Sequence, residues 1–283
     1  MRVMRPWIAA LGAAAAAPAL AAAGDVEIAV RAGQVFPFYE QSIRFDPGPF
    51  LRATFPGVSV EPVQDLRLEG RGGLALGGGL TWYLSDNLGL EARVDTADVS
   101  VRARDAKVRV RIPLPSPLPS FSADVDIPAT GELDRLRPLS LNVRARTGGR
   151  FKAHASAGVS YLPSLRFSVH STFLTNVPLF FGAPLDLAHL AVRGEARPEG
   201  EGQGRIGFNG GAGLGWPLGD RVSAEIDGRY FRFREQTLTW SGEPGLTLSP
   251  IEQQLLRELL NTLGEGRFNP NFFQVTGGVT IRF

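Results

Sequence analysis

Charged residues recur at every second position within segments that are otherwise apolar or small. They are Glu27 and Arg31; Glu91, Arg93 and Asp95; Arg144 and Arg146; Glu225, Asp227 and Arg229; and Arg282. In extended backbone, alternate side chains point the same way, so each group shares one face. Both signs are present, and in a confined space a carboxylate and a guanidinium satisfy one another where either alone would cost several kcal/mol. Arginine is the cation suited to this, because its planar fork meets carboxylates two atoms at a time. Lys107 and Lys152 are the only lysines among 30 basic residues, which leaves 28 arginines.

Other chemistry is sparse. The chain has no cysteine and three histidines, His154, His170 and His189. Thiolate catalysis and cysteine metal sites are excluded. No histidine stands at metal-ligand spacing from another. No metal or other cofactor is expected. His154 shares an alternation face with Lys152 and Ser156 and reads as a hydrogen-bonded polar filler. His170, beside Ser168 and Ser171, comes nearest to a hydrolytic grouping, but no recognisable hydrolase motif surrounds it. The glycine runs Gly77-Gly78-Gly79 and Gly210-Gly211-Ala212-Gly213 fall inside alternating segments and are no phosphate loops.

The alternation defines eight strands that must position these charges. They cover about 25–38, 73–84, 88–103, 138–146, 151–162, 205–216, 221–235 and 271–283. Short turns join the second to the third, the fourth to the fifth and the sixth to the seventh. Ser85-Asp86-Asn87, Thr147-Gly148-Gly149-Arg150 and Pro217-Leu218-Gly219-Asp220 supply them. Long segments, about 40–72, 104–137, 163–204 and 236–270, join the rest. In every strand one face is apolar: Leu74, Leu76, Leu80 and Trp82; Leu90, Ala92 and Val94; Leu141 and Val143; Ile226 and Tyr230; Val275, Val279 and Ile281. The opposite face mixes charges with glycines 77, 79, 211, 213 and 278. Small residues beside long arginines fit the inside of a narrow closed barrel, which side chains just fill. Trp82, Trp216 and Phe283 at one end, with Phe36, Phe38, Tyr161 and Tyr230 at the other, are placed as two aromatic girdles.

The ends of the chain agree. Met1–Arg5 is basic, Trp7–Leu20 is apolar and alanine-rich, and Ala21-Ala22-Ala23 offers small residues for cleavage. Residues 1–23 therefore read as a signal peptide, and 24–283 as one β-barrel domain. No later stretch has 18 consecutive apolar residues, so helices do not span a membrane here. Abundant glycine (34) and proline (21) suit a turn-rich β-protein, and a formal net charge of +2 gives no basic surface for nucleic acid.

The last strand ends Thr276, Gly278, Ile281, Phe283, a polar residue, a glycine and two spaced hydrophobics. This pattern resembles the terminal strand of bacterial outer-membrane β-barrels. The whole mature chain is similar in architecture to the small barrels typified by the OmpA transmembrane domain and OmpW. The resemblance implies an all-β antiparallel up-and-down barrel of eight strands in the bacterial outer membrane. It implies outer-membrane lipid as surroundings, and recognition of Thr276, Gly278, Ile281 and Phe283 by the barrel-assembly machinery. The chain departs from it in loop length. Either the strands continue beyond the membrane as hairpins, as Val99–Ile112 could, or Phe121–Ile127 and Leu165–Phe173 add strands for ten or twelve.

One helix is expected over Ser249–Gly264, with Ser249 and Glu252 as a capping box and Pro250 at its first position. Ile251, Leu255, Leu256, Leu259, Leu260 and Leu263 would line one face. The proline-rich run 112–119 reads as an extended loop tip. The expected function is a non-enzymatic outer-membrane barrel, with a structural or interaction role or a narrow pore. The alternatives are an outer-membrane enzyme acting on lipid or peptide, and a soluble periplasmic barrel with Leu74, Leu76, Ile226 and Val279 inside around an apolar ligand.

Overall fold

The computed structural model describes residues 25–44, 48, 57, 59–113, 120–149, 151–163, 165–172, 191–196, 205–242, 250–262 and 266–283. The signal-peptide segment, the tip 114–119, His189, Ser249 and Gly264 lie outside them. The first strands are β1 (Val26–Pro37), β2 (Glu40–Ile43), β3 (Ser59–Gln64), β4 (Leu66–Arg71), β5 (Leu74–Tyr83), β6 (Leu88–Ala97) and β7 (Ser100–Arg104). Next come β8 (Ala106–Ile112), β9 (Phe121–Ile127), β10 (Ala129–Leu133), β11 (Leu139–Arg146), β12 (Lys152–Leu162) and β13 (Phe167–Thr172). The last are β14 (Ala191–Ala196), β15 (Arg205–Pro217), β16 (Val222–Phe233), β17 (Gln236–Gly242), β18 (Gly266–Phe268) and β19 (Phe272–Arg282). A single described helix, α1 (Pro250–Thr262), precedes β18.

Eight of these strands close into an antiparallel barrel in the order β1-β19-β16-β15-β12-β11-β6-β5. Closure is made by β1 against β19, in register from Glu27–Arg282 to Pro37–Phe272, so no edge is left to pair with another chain. The three short turns lie at one end. Gly149 has φ 107°, the left-handed backbone that glycine adopts without strain. The Leu84 and Leu218 amides donate to the Leu88 and Val222 carbonyls. Both barrel termini meet at this turn end, where the Phe283 amide donates to the Val26 carbonyl.

The barrel holds eight strands, and the long segments extend it upward. β2, β4, β7, β10, β13, β14, β17 and β18 each continue one barrel strand, and they pair in the order β18-β17-β14-β13-β10-β7-β4-β2. That is the order of the barrel strands below, open at a single seam between β18 and β2. There the Arg267 amide donates to Gln41 Oε1 at 2.9 Å. The third segment, expected as one strand over 88–103, is broken into β6 and β7 at Asp98–Val99. Residues 121–127 and 167–172 do form strands, β9 and β13, but neither enters the barrel wall. β13 belongs to the upper tier, and β9 joins β3 and β8 in a separate three-stranded sheet.

The inward face changes character between the tiers. In the barrel it is polar and charged. Above, it is the hydrophobic core: Tyr39, Leu68, Leu136, Leu162, Phe167, Leu238 and Phe268 are all buried. Phe231 stacks on Phe272 at 4.6 Å and Phe167 on Phe268 at 4.4 Å, each pair adding about 0.5–1.5 kcal/mol beyond its buried area. Of the expected apolar face of α1, Leu256 and Leu260 pack against this core beside Trp240.

Candidate functional site

The candidate site is the lower barrel interior. β6 contributes Glu91, Arg93 and Asp95, and β16 contributes Glu225, Asp227 and Arg229. In the ring of eight these strands are four places apart, on opposite walls. All six side chains are buried, Glu91 and Arg229 completely. Arg93 Nε reaches Asp95 at 2.7 Å, and its Nη1 reaches Asp227 across the barrel at 2.7 Å. Arg229 returns the link, with Nη2 3.0 Å from Glu91. Arg31 on β1 lies 3.1 Å from Glu225 and 3.6 Å from Glu91. Arg144 on β11 bridges Glu91 at 3.3 Å and Glu225.

A second group closes the turn end. Arg146 pairs with Glu27 at 2.5 Å and Asp25 at 3.3 Å, and its guanidinium lies 3.5 Å over the Tyr83 ring. Tyr83 donates its hydroxyl to Glu27 at 3.2 Å. Arg282 pairs with Asp25 and is the most exposed of the eleven charged residues read from the sequence. Including Asp25, six arginines face six carboxylates. The formal charges of these twelve groups cancel, so each buried ion of the network has an opposite charge to offset its desolvation.

Other polar groups complete the network, and the sequence list of charges omitted them. His154 Nε2 stands 3.2 Å from both Glu225 and Asp227. Asn142 donates to Glu91 at 3.0 Å, Asn209 donates to Asn142 Oδ1 at 2.8 Å, and Gln274 donates to Asp95 at 3.1 Å. Thr280 donates to Glu225 at 2.7 Å. Their signal was available, since each occupies the charged side of its strand's alternation. Small residues make the room. A Cβ on Gly278 would sit 2.2 Å from the Val30 carbonyl oxygen and 2.8 Å from Arg31 Cγ, and one on Gly213 would sit 2.5 Å from His154 Cε1.

The network has no continuation upward. Along β16 the inward series runs Glu225, Asp227, Arg229, Phe231, Phe233, and Phe231 meets Phe272 from β19 above Gln274. Ion pairs below give way to aromatic rings above. A small recess survives at the turn end, lined by Tyr83, Arg146, Lys152, His154, Glu225 and Thr280 among others.

The outer surface of the same strands is apolar. Val30, Leu74, Leu76, Leu141, Val143, Phe208, Ile226 and Val279 are all exposed. Leu74, Leu76, Ile226 and Val279 therefore point away from the interior, which overturns the soluble barrel with an apolar lumen. Trp216 and Phe283 are exposed towards the turn end, and Phe36, Phe38, Tyr161 and Tyr230 towards the other. An apolar belt between two aromatic rims around a closed, charge-filled barrel is the arrangement that lipid on the outside requires. Along β19, Thr276 is buried, Gly278 packs on Arg31, and Ile281 and Phe283 are exposed on the belt.

Of the nearest hydrolytic grouping, Ser168 and His170 share one face of β13 and Ser171 does not. Ser171 is buried and donates to the Pro128 carbonyl, on the face of β13 opposite to Ser168 and His170. Among the described residues no group of three or more His, Asp or Glu side chains could hold a metal ion.

No protein-family profile matches the chain, and no curated protein matches it. Solved structures similar to it include the outer membrane protein OprG from Pseudomonas aeruginosa, at 14% identity over 92% of this chain and 96% of that one, TM-score 0.43. Neisserial surface protein A is similar at 11% identity over 92% and 99%, TM-score 0.38. The outer membrane protease OmpT from Escherichia coli is similar at 10% identity over 92% and 96%, TM-score 0.38.

Proposed function

We propose that this chain is a non-enzymatic outer-membrane β-barrel with a closed interior, serving as a rigid membrane anchor that displays its upper tier outside the cell. The observation that carries this reading is the pair of opposed faces: a belt of exposed aliphatic side chains outside, and an ion-paired core linking opposite walls inside. Lipid is its surroundings, and the strand bearing Thr276, Gly278, Ile281 and Phe283 is its contact with the barrel-assembly machinery. An interaction role is favoured over a narrow pore, because the ion network and the rings of Phe231 and Phe272 occupy the path a solute would take. An enzymatic role gains no support from His170 and Ser171, which lie on opposite faces of one strand.

The test is cell fractionation followed by electrophoresis with and without boiling, then a conductance measurement in planar bilayers. The reading expects outer-membrane recovery, faster migration of the unboiled form and no steady conductance. Recovery in the soluble periplasm would overturn the membrane reading, and steady conductance would overturn the closed interior.

A further inference from the structure

Lys152 stands outside the twelve balanced charges of the interior. It opens β12 at the turn end, half-buried, and its ammonium meets no carboxylate of the described residues. It lines the turn-end recess with Arg144, Arg146, Glu27 and Glu225. Both of these carboxylates are engaged already. Glu27 is held by Arg146 and the Tyr83 hydroxyl, and Glu225 by Arg31, Arg144 and Thr280. Among the charged lining residues, three cations therefore face two carboxylates, and Lys152 is the surplus. Arg144 is only 4% exposed, and its Nε has no hydrogen-bond partner. A buried donor of this kind is costly to leave unpaired.

The room in this recess comes from Gly215. On β15, Gly211, Gly213 and Gly215 share the inward face. A Cβ on Gly211 would sit 2.7 Å from the Gly228 carbonyl oxygen, and one on Gly213 would sit 2.2 Å from that of Ile226, so neighbours crowd both places. A Cβ on Gly215 would meet nothing closer than the Lys152 carbonyl oxygen at 3.6 Å. In the ladder, Gly215 stands between Lys152 of β12 and Glu225 of β16. Of the three missing side chains, the one whose place is left open is therefore the one beside the surplus ammonium.

We propose that this recess binds a small soluble oxyanion of the phosphate kind, held by the Lys152 ammonium and the Arg144 Nε–H in the space beside Gly215. The recess is far smaller than the clefts that take organic ligands, which leaves a small ion as its occupant. A tetrahedral oxyanion accepts from several donors at once, and each charge-assisted bond is roughly twice as strong as a neutral one. It also supplies the negative charge that Lys152 lacks. The chemistry is the same whichever compartment the turn end faces; on the membrane reading, that compartment is the periplasm.

The experiment titrates the refolded full chain, in zwitterionic detergent at fixed ionic strength, with inorganic phosphate in a calorimeter. Saturable binding at one site is expected, with sulfate competing and chloride not. K152Q should weaken it about tenfold or more, as loss of a hydrogen bond from a charged donor implies, and K152R should keep most of it. G215A should weaken it too while leaving the unboiled gel form and the phosphate-free urea midpoint intact, because its methyl makes only ordinary contacts. R135Q, which removes a cation paired with Asp98 instead, should change nothing. If K152Q fails to fold, G215A carries the test. An absence of saturable binding would overturn the proposal. Equal binding by wild type, K152Q and G215A would overturn it as well, by placing the ion elsewhere. So would chloride matching phosphate, which is plain screening, and so would displacement of phosphate by phosphatidylglycerol added to the micelles, which would assign the donors to a lipid headgroup.

Discussion

Arg93 on β6 and Asp227 on β16 are joined at 2.7 Å across the full width of the barrel, between strands that share no backbone hydrogen bond. The wall of a barrel is held by neighbour-to-neighbour ladders. This pair ties together two parts of the wall that the ladders connect only by going round, so it resists flattening as well as strand separation.

Removing one partner should cost more than removing both. Asp227→Ala leaves Arg93 and His154 facing an uncompensated site, and breaking a buried pair from one side costs about 3–5 kcal/mol. The double change Arg93→Met with Asp227→Leu restores the balance of charge and, although Asp95 then keeps only Gln274 as a partner, should recover part of that loss. Urea midpoints of the folded band for the single and double variants measure it. Equal and additive losses would show that the pair is not coupled.

Adjacent glycines on β19 should respond in opposite ways. Gly278→Ala places a methyl against the Val30 carbonyl and Arg31, and overpacking of this kind costs about 1–3 kcal/mol. Gly277→Ala meets nothing closer than the Glu225 carbonyl at 3.9 Å and faces outward. Its midpoint should be unchanged or slightly raised. A similar loss at both positions would argue against a filled interior.

Much of this was legible because one periodicity served the whole barrel. Alternation over residues 221–235 places Glu225, Asp227 and Arg229 together and Ile226 and Tyr230 opposite them, which is how β16 is built. The upper tier was harder to read because the alternation persists while its polarity reverses. Above Tyr230 the inward positions become Phe231 and Phe233 and the outward ones Arg232 and Arg234. On the third segment Asp95 gives way to Ala97, Val99 and Val101 inside, with Arg102 and Arg104 outside. On the proposed membrane reading the reversal marks where lipid would end and water begin: below it the outside must be apolar, and above it the inside must. A reading that sorts residues into one polar and one apolar face per strand passes over the reversal and leaves the upper strands as loops. The pairing of His154, Asn142 and Gln274 with charges on other strands was hidden for a different reason. Alternation gives the face, while strand register and tilt decide which groups on that face meet.

Alkaline pH should loosen the upper tier through Tyr39. Its ring packs edge-on against both Phe167 and Phe268, and burial pushes its hydroxyl well above the ordinary tyrosine range. The folded state therefore holds the proton where the unfolded chain would release it. The contribution to stability is complete below the unfolded value of about 10 and is lost as pH rises through the higher folded value. Tyrosinate absorbance should show Tyr39 ionising above the ordinary tyrosine range. Tyr39→Phe should remove this part of the alkaline sensitivity while leaving the barrel's gel mobility intact. An unchanged alkaline transition in that variant would assign it to another group.

A charge placed on the belt should cost in proportion to its depth, and this separates lipid from water as the outer surroundings. Leu141 is 58% exposed in the middle of β11, between Leu139 and Val143 on the same face. In water, an arginine at so exposed a site would change stability by no more than about 0.5 kcal/mol. In a bilayer, an arginine on the lipid face near the midplane costs about 2–4 kcal/mol, falling towards zero near the rims. Leu141→Arg should therefore lower the urea midpoint of the vesicle-inserted protein strongly, and Leu218→Arg, in the turn beyond Trp216, only slightly. The gradient is the informative quantity, because a general dislike of charge would lower both alike. Equal effects at the two positions would mean that lipid does not surround this face, and the opposed-face argument for the membrane would lose its footing.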